Sequence, residues 1–304
     1  MKIRKRYIGA LLAAFSLLSC GLPPKQQNGS SGGTAATTAD SRGGSDGDFA
    51  SSGDAADDFT DDFTEGGQGD DAYTVPDSLL PEPATAQGAQ LLRRKAYVCS
   101  FNHNTLMPDW VAWKLTAEHA EGSVSRKGVK FHPDGDVPEK YQVTTYDYMR
   151  SGYDRGHMCP AGDNKWDAAA MDQCFLMTNM CPQDHGLNIG DWNEMEMQCR
   201  RWARQYGEVY IVCGPILFRQ RHATIGQKHK VTVPEAFFKV VLCLRGKPKG
   251  IGFIYRNIDG NRPKGDYVNS IDQVERITGL DFFHGLNAKT QKKVEAEADL
   301  SLWQ

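Results

Sequence analysis

Residues 153–163 read Tyr-Asp-Arg-Gly-His-Met-Cys-Pro-Ala-Gly-Asp and place a titratable base beside a fixed positive charge. His157 follows Arg155 by two positions, with Gly156 between them. An imidazole can take a proton from water near neutral pH. A permanently charged guanidinium suits a phosphate oxygen. Together they suit attack on a phosphodiester. That reaction has three needs: water must lose a proton, the charge of the five-coordinate phosphorus state must be neutralised, and the departing oxygen must be stabilised. His157 is the candidate general base.

A second group follows, with Asn179-Met-Cys-Pro-Gln183, then Leu187-Asn188-Ile-Gly-Asp-Trp192, then Glu196 and Arg200. In this order the residues resemble the DNA/RNA non-specific endonuclease family, within the ββα-metal superfamily. The resemblance runs over roughly residues 95–285. Softer matches lie at Trp110-Val-Ala-Trp113, Arg126-Lys127, Val233-Pro-Glu-Ala-Phe-Phe-Lys239 and Thr278-Gly-Leu-Asp-Phe-Phe283.

The resemblance implies a magnesium ion, with manganese as its substitute, held by Asn188. Magnesium keeps much of its water shell and needs few protein ligands. It further implies DNA and RNA as substrates, 5′-phosphate ends and a homodimer. Arg126 resembles the family's upstream phosphate-binding arginine. Asn179 is expected to shape the metal pocket, and Asp154 to brace its loop. Arg155 is either structural or phosphate-binding. Glu196 either holds water next to the metal or pairs with Arg200 along a helix. Asn188 has the competing role of a helix cap.

Two rival classes remain. His157, Cys159, Cys174, Cys181 and His185 can be read as a structural zinc cluster, although their spacings match no common finger. The chain can also be read as a nucleic-acid-binding lipoprotein without catalysis, against which the intact histidine and asparagine argue.

The elements that must position these groups are partly legible. Phe175–Thr178, Val209–Cys213, Phe237–Leu244 and Ile251–Tyr255 read as strands, the last two joined by the turn Arg245-Gly-Lys-Pro-Lys-Gly250. Residues 188–205 read as one helix ended by Gly207, with Trp192, Met195, Cys199, Trp202 and Ala203 on its apolar side. A further helix begins at Ser270, with Gln273 completing a capping box and Gly279 after its last turn. The irregular alternation predicts an α+β fold with a largely antiparallel central sheet flanked by helices. The ββα-metal site is what the resemblance adds.

The chain ends tell a different story. Lys2, Arg4, Lys5 and Arg6 precede an apolar run and Leu17-Leu-Ser-Cys20. This predicts a signal peptide over 1–20 with Cys20 lipidated, hence an exported bacterial membrane lipoprotein facing the periplasm or the exterior, anchored to the membrane. Residues 21–90 hold two basic and thirteen acidic residues and few apolar ones, which predicts a disordered tether. Residues 91–304 are then the endonuclease domain, with 29 basic and 25 acidic residues, a mild excess that suits a polyanion. Exported chains can form disulfides, and seven cysteines follow Cys20.

Overall fold

The computed structural model describes residues 74–304. Its strands are β1 (Ala89–Arg93), β2 (Val98–Asn102), β3 (Met107–Thr116), β4 (Asp154–His157), β5 (Met180–Gln183), β6 (Glu208–Ile216), β7 (Thr224–Ile225), β8 (Val231–Thr232), β9 (Ala236–Cys243), β10 (Lys249–Arg256) and β11 (Val268–Asn269). Its α-helices are α1 (Ala117–Glu121), α2 (Ala168–Gln173), α3 (His185–Ile189), α4 (Asp191–Tyr206), α5 (Ile271–Thr278) and α6 (Ala288–Ala296). Seven strands make one sheet in the order β1-β2-β3-β6-β9-β10-β11, and every pairing in it is antiparallel. The α+β expectation holds.

Both faces of this sheet are covered, so its central strands are apolar in nearly every position. Trp113, Ile211, Cys213, Phe237 and Val241 face one core, which includes Trp192, Met195, Cys199 and Trp202 of α4. Trp110, Val212, Phe238, Val240 and Leu242 face the other, with Ile271 and Val274 of α5 and Val294 of α6. The hairpin β9–β10 pairs Cys243 with Lys249 at its closed end, as the turn residues predict. Ser270 caps α5 with both bonds of the capping box, and Gly279 ends the helix in a left-handed conformation.

Three expectations are corrected. Residues 175–178 form a turn and part of a 3-10 helix, with Leu176 making only a single bridge to His132. Their apolar character comes from burial beneath the site. The helix expected over 188–205 is two helices, broken at Gly190. A Cβ on Gly190 would lie 2.6 Å from the Gly186 carbonyl oxygen, so the break depends on glycine. The folded part also starts before residue 91. Val75, Leu79 and Leu80 are buried in the second core, and Glu82 exchanges backbone hydrogen bonds with Asp281. These few apolar residues were hidden by the polar average around them. The expected signal peptide, Cys20 and the expected tether up to residue 73 lie outside the described residues.

Candidate active site

Strands β4 and β5 form a separate two-stranded ribbon that runs into α3 and α4. The ribbon places His157 at the end of β4, opposite Met180. Close packing within it needs Gly156, because a Cβ there would lie 2.6 Å from Gln183 Cβ. Gly156→Ala is therefore expected to destabilise the fold by about 1–3 kcal/mol. The check is a lower midpoint in urea at an unchanged slope.

His157 opens onto a cavity of about 840 Å³ lined also by Arg126, Asp154, Arg155, Asn188, Glu196 and Arg200. Its ring stands edge-on to Phe175 at 4.9 Å and tilted to Phe131 at 5.3 Å. Each of these aromatic rings also carries an arginine. The Arg155 guanidinium lies 4.6 Å from the Phe131 centroid, and that of Arg126 lies 5.4 Å from Phe175. The imidazole is thus framed by two rings and two cations. Its Nε2 is buried without a hydrogen-bond partner. Trp192 Nε1 donates to the His157 carbonyl at 3.3 Å and ties His157 to α4. Burial, reinforced by the charges of Arg126 and Arg155, lowers the His157 pKa to about 3. The ring is neutral across the physiological range, with a lone pair available to accept a proton.

Asn188 lies on α3, apart from the longer helix. Asp184 caps α3 by accepting from Leu187, so Asn188 is not the cap. Asn188 Nδ2 donates to Asp154 Oδ2 at 2.9 Å, and His185 Nδ1 shares that oxygen at 2.8 Å. With its nitrogen committed, the amide oxygen of Asn188 is the atom left to serve as a donor to a cation. Asp154 thereby ties β4 to α3, where its own loop was the expected partner.

Glu196 is partly buried on α4, where burial, helped by Asp163 and opposed by Lys239 and Arg200, raises its pKa to about 7. The alternative Glu196–Arg200 pair gives way to another: Arg200 Nη1 donates to Asp163 at 2.7 Å, and Trp113 Nε1 donates to the other Asp163 oxygen at 3.0 Å. Asp163 closes the stretch 153–163, but nothing local in the sequence marks it as Arg200's partner. Lys239 was also missed. It is 1% exposed, with Nζ 4.1 Å from the Trp192 centroid and 5.2 Å from that of Trp113. A lysine inside the apolar run 237–244 was the available signal.

Asn179 is fully buried and does not line the cavity. Its oxygen accepts from the Cys159 amide, and its nitrogen donates to the carbonyls of Cys159 and Cys174. It braces the chain behind His157 instead of shaping the pocket wall. The zinc cluster is not formed. Cys159, Cys174 and Cys181 are free, buried thiols whose pKa values are raised by burial, which keeps them protonated. His185 is exposed and bonded to Asp154. The other described cysteines, Cys99, Cys199, Cys213 and Cys243, are free as well.

The family model for DNA/RNA non-specific endonucleases matches residues 77–289. The chain is 34% identical to the mitochondrial nuclease EXOG of Danio rerio over 222 residues, covering 68% of this chain and 63% of that relative. It is 36% identical to nuclease C1 of Cunninghamella echinulata var. echinulata over 224 residues, covering 69% of this chain and 88% of the relative. The chain therefore spans less than two thirds of the EXOG relative's length. A crystal structure of the EndoG/EndoGI complex superposes with a TM-score of 0.64 at 29% identity, covering 68% of this chain and 91% of the matched one. These findings also correct the expected localisation. Curated relatives, the zebrafish protein among them, are mitochondrial nucleases and not bacterial membrane lipoproteins.

Proposed function

The chain belongs to the DNA/RNA non-specific endonuclease family, and on that premise we propose that it hydrolyses internal phosphodiester bonds of DNA and RNA with magnesium, leaving 5′-phosphate ends. The observation that carries this reading is His157, a neutral imidazole with an unpartnered Nε2 that lines a wide cavity together with Arg126 and Arg155. Contacts made through backbone phosphates hold no base information, so sequence preference is weak.

The residues present fit a magnesium ion. Asn188, Asp154 and Glu196 give the cavity an all-oxygen donor set, which suits a hard cation that keeps most of its water. Asn188 would hold it directly. Bound there, magnesium supplies Lewis-acid neutralisation of phosphate charge.

The remaining work falls to the chain. His157 takes the proton from the attacking water. Arg126 and Arg155 hold the phosphate, and their aromatic platforms fix where their charges lie. A phosphate between them also cancels part of their charge, which raises the basicity of His157 once substrate is bound. Glu196, when ionised, orients water in the cavity. Arg200 adds a third guanidinium, kept in place by Asp163.

The test is incubation of the full chain with plasmid DNA and with structured RNA, in magnesium and in EDTA. Both polymers are expected to be degraded to 5′-phosphate fragments in magnesium, with activity lost on chelation. Undiminished cutting in EDTA would remove the metal from the mechanism, and cutting of one polymer alone would narrow the substrate class.

A further inference from the structure

On the other face of the sheet, away from the catalytic cavity, α5 and α6 bring three carboxylates together. Asp272 and Glu275 lie three residues apart on α5 and so share a side of that helix. Glu295 approaches from α6. Among the described residues, one oxygen from each lies within 4.8 Å of the others. Glu295 is 7% exposed, and its Oε1 is buried with no hydrogen-bond partner. Glu275 is held in place because its Oε1 accepts from the Phe282 amide at 2.8 Å. Asp281 adds another acid nearby and is bonded by Gln291 Nε2 at 3.1 Å.

An orphaned carboxylate oxygen inside a protein is costly unless a charge or a proton meets it. The carboxylate it belongs to is grouped with two more. Three protein carboxylates at one point suit calcium, which takes many protein oxygen ligands, better than magnesium, which keeps its water and takes one or two carboxylates.

We propose that Asp272, Glu275 and Glu295 form a structural calcium site that clasps α6 to α5. The ion would lock the edge of the second core, where Ile271, Val274 and Val294 pack. It takes no part in phosphodiester cleavage, so its test does not depend on the nuclease reading.

The test is calorimetric titration of the full chain with calcium chloride, with excess magnesium present throughout, paired with thermal melting. One calcium ion is expected to bind per chain. The melting temperature is expected to rise by about 5 °C at saturating calcium, since a ligand that binds only the folded state stabilises it. Glu295→Gln removes both effects while the chain stays folded and keeps its basal activity. Should Glu295→Gln fail to fold, the more exposed Asp272→Asn is expected to weaken calcium binding at least tenfold. The proposal is overturned if wild type shows no calcium-dependent heat or melting shift. It is also overturned if the variants respond as wild type does. A Glu295→Gln chain that melts higher than calcium-free wild type, with no calcium response in either, would mean that the three carboxyls share a proton instead.

Discussion

His157→Ala is expected to lower the rate of plasmid cleavage by about a hundred- to ten-thousand-fold, the range a positioned general base contributes. The chain should stay folded, because removal of the ring leaves the ribbon β4–β5 paired. Raising the pH should recover part of the loss, since hydroxide replaces the missing base. The pH profile of the wild type separates His157 from Glu196. With its pKa lowered to about 3 in the free chain, His157 is already neutral at pH 5 and gives no step near neutrality in kcat/KM. Glu196, raised to about 7, gains its charge as the pH climbs through that value. Activity is therefore expected to rise through about pH 7 and then level off, and Glu196→Gln should flatten the step. A His157→Ala chain with half the wild-type rate would take His157 out of the chemistry.

Asn188→Ala is expected to raise the magnesium concentration needed for half-maximal rate by roughly tenfold or more, as loss of metal-site groups commonly does. The effect has two sources. The amide oxygen is lost as a ligand, and Asp154 loses the donor that fixes one of its oxygens. Substrate affinity measured without metal should barely change, because Arg126 and Arg155 are untouched. Asp154→Asn provides the control. It keeps Asn188 but disturbs its orientation, so a smaller shift in the same direction is expected. An unchanged metal titration for Asn188→Ala would point to Glu196 as the ligand.

Much of this arrangement was legible before any coordinates. The runs 209–213, 237–244 and 251–255 became β6, β9 and β10 because strands buried on both faces must be apolar throughout. Ser270, Gln273 and Gly279 marked the ends of α5 through chemistry that is local to the chain. His157, Asn188, Glu196, Arg126 and Arg155 do line one cavity. What the sequence hid was non-local or geometric. The helical pattern read over 188–205 passes through Gly190 without a sign that the backbone turns away there. The acid that holds Arg200 lies 37 positions upstream at Asp163. The ammonium of Lys239 is stabilised by Trp113 and Trp192, which meet it only when β3, β9 and α4 have packed.

Asn179 has a consequence for how such sequences are interpreted. It satisfies an amide and two carbonyls that would otherwise be stranded in the core, and it touches nothing in the cavity. Selection for a stable chain alone is enough to keep it. A lineage that abandoned nuclease chemistry by drifting at His157 or Asn188 would still lose folded protein if Asn179 changed. A pseudoenzyme of this family should therefore carry Asn179 intact. Finding that residue in a genome attests to the scaffold, whereas on the proposed mechanism it is His157 together with Asn188 that would attest to an enzyme.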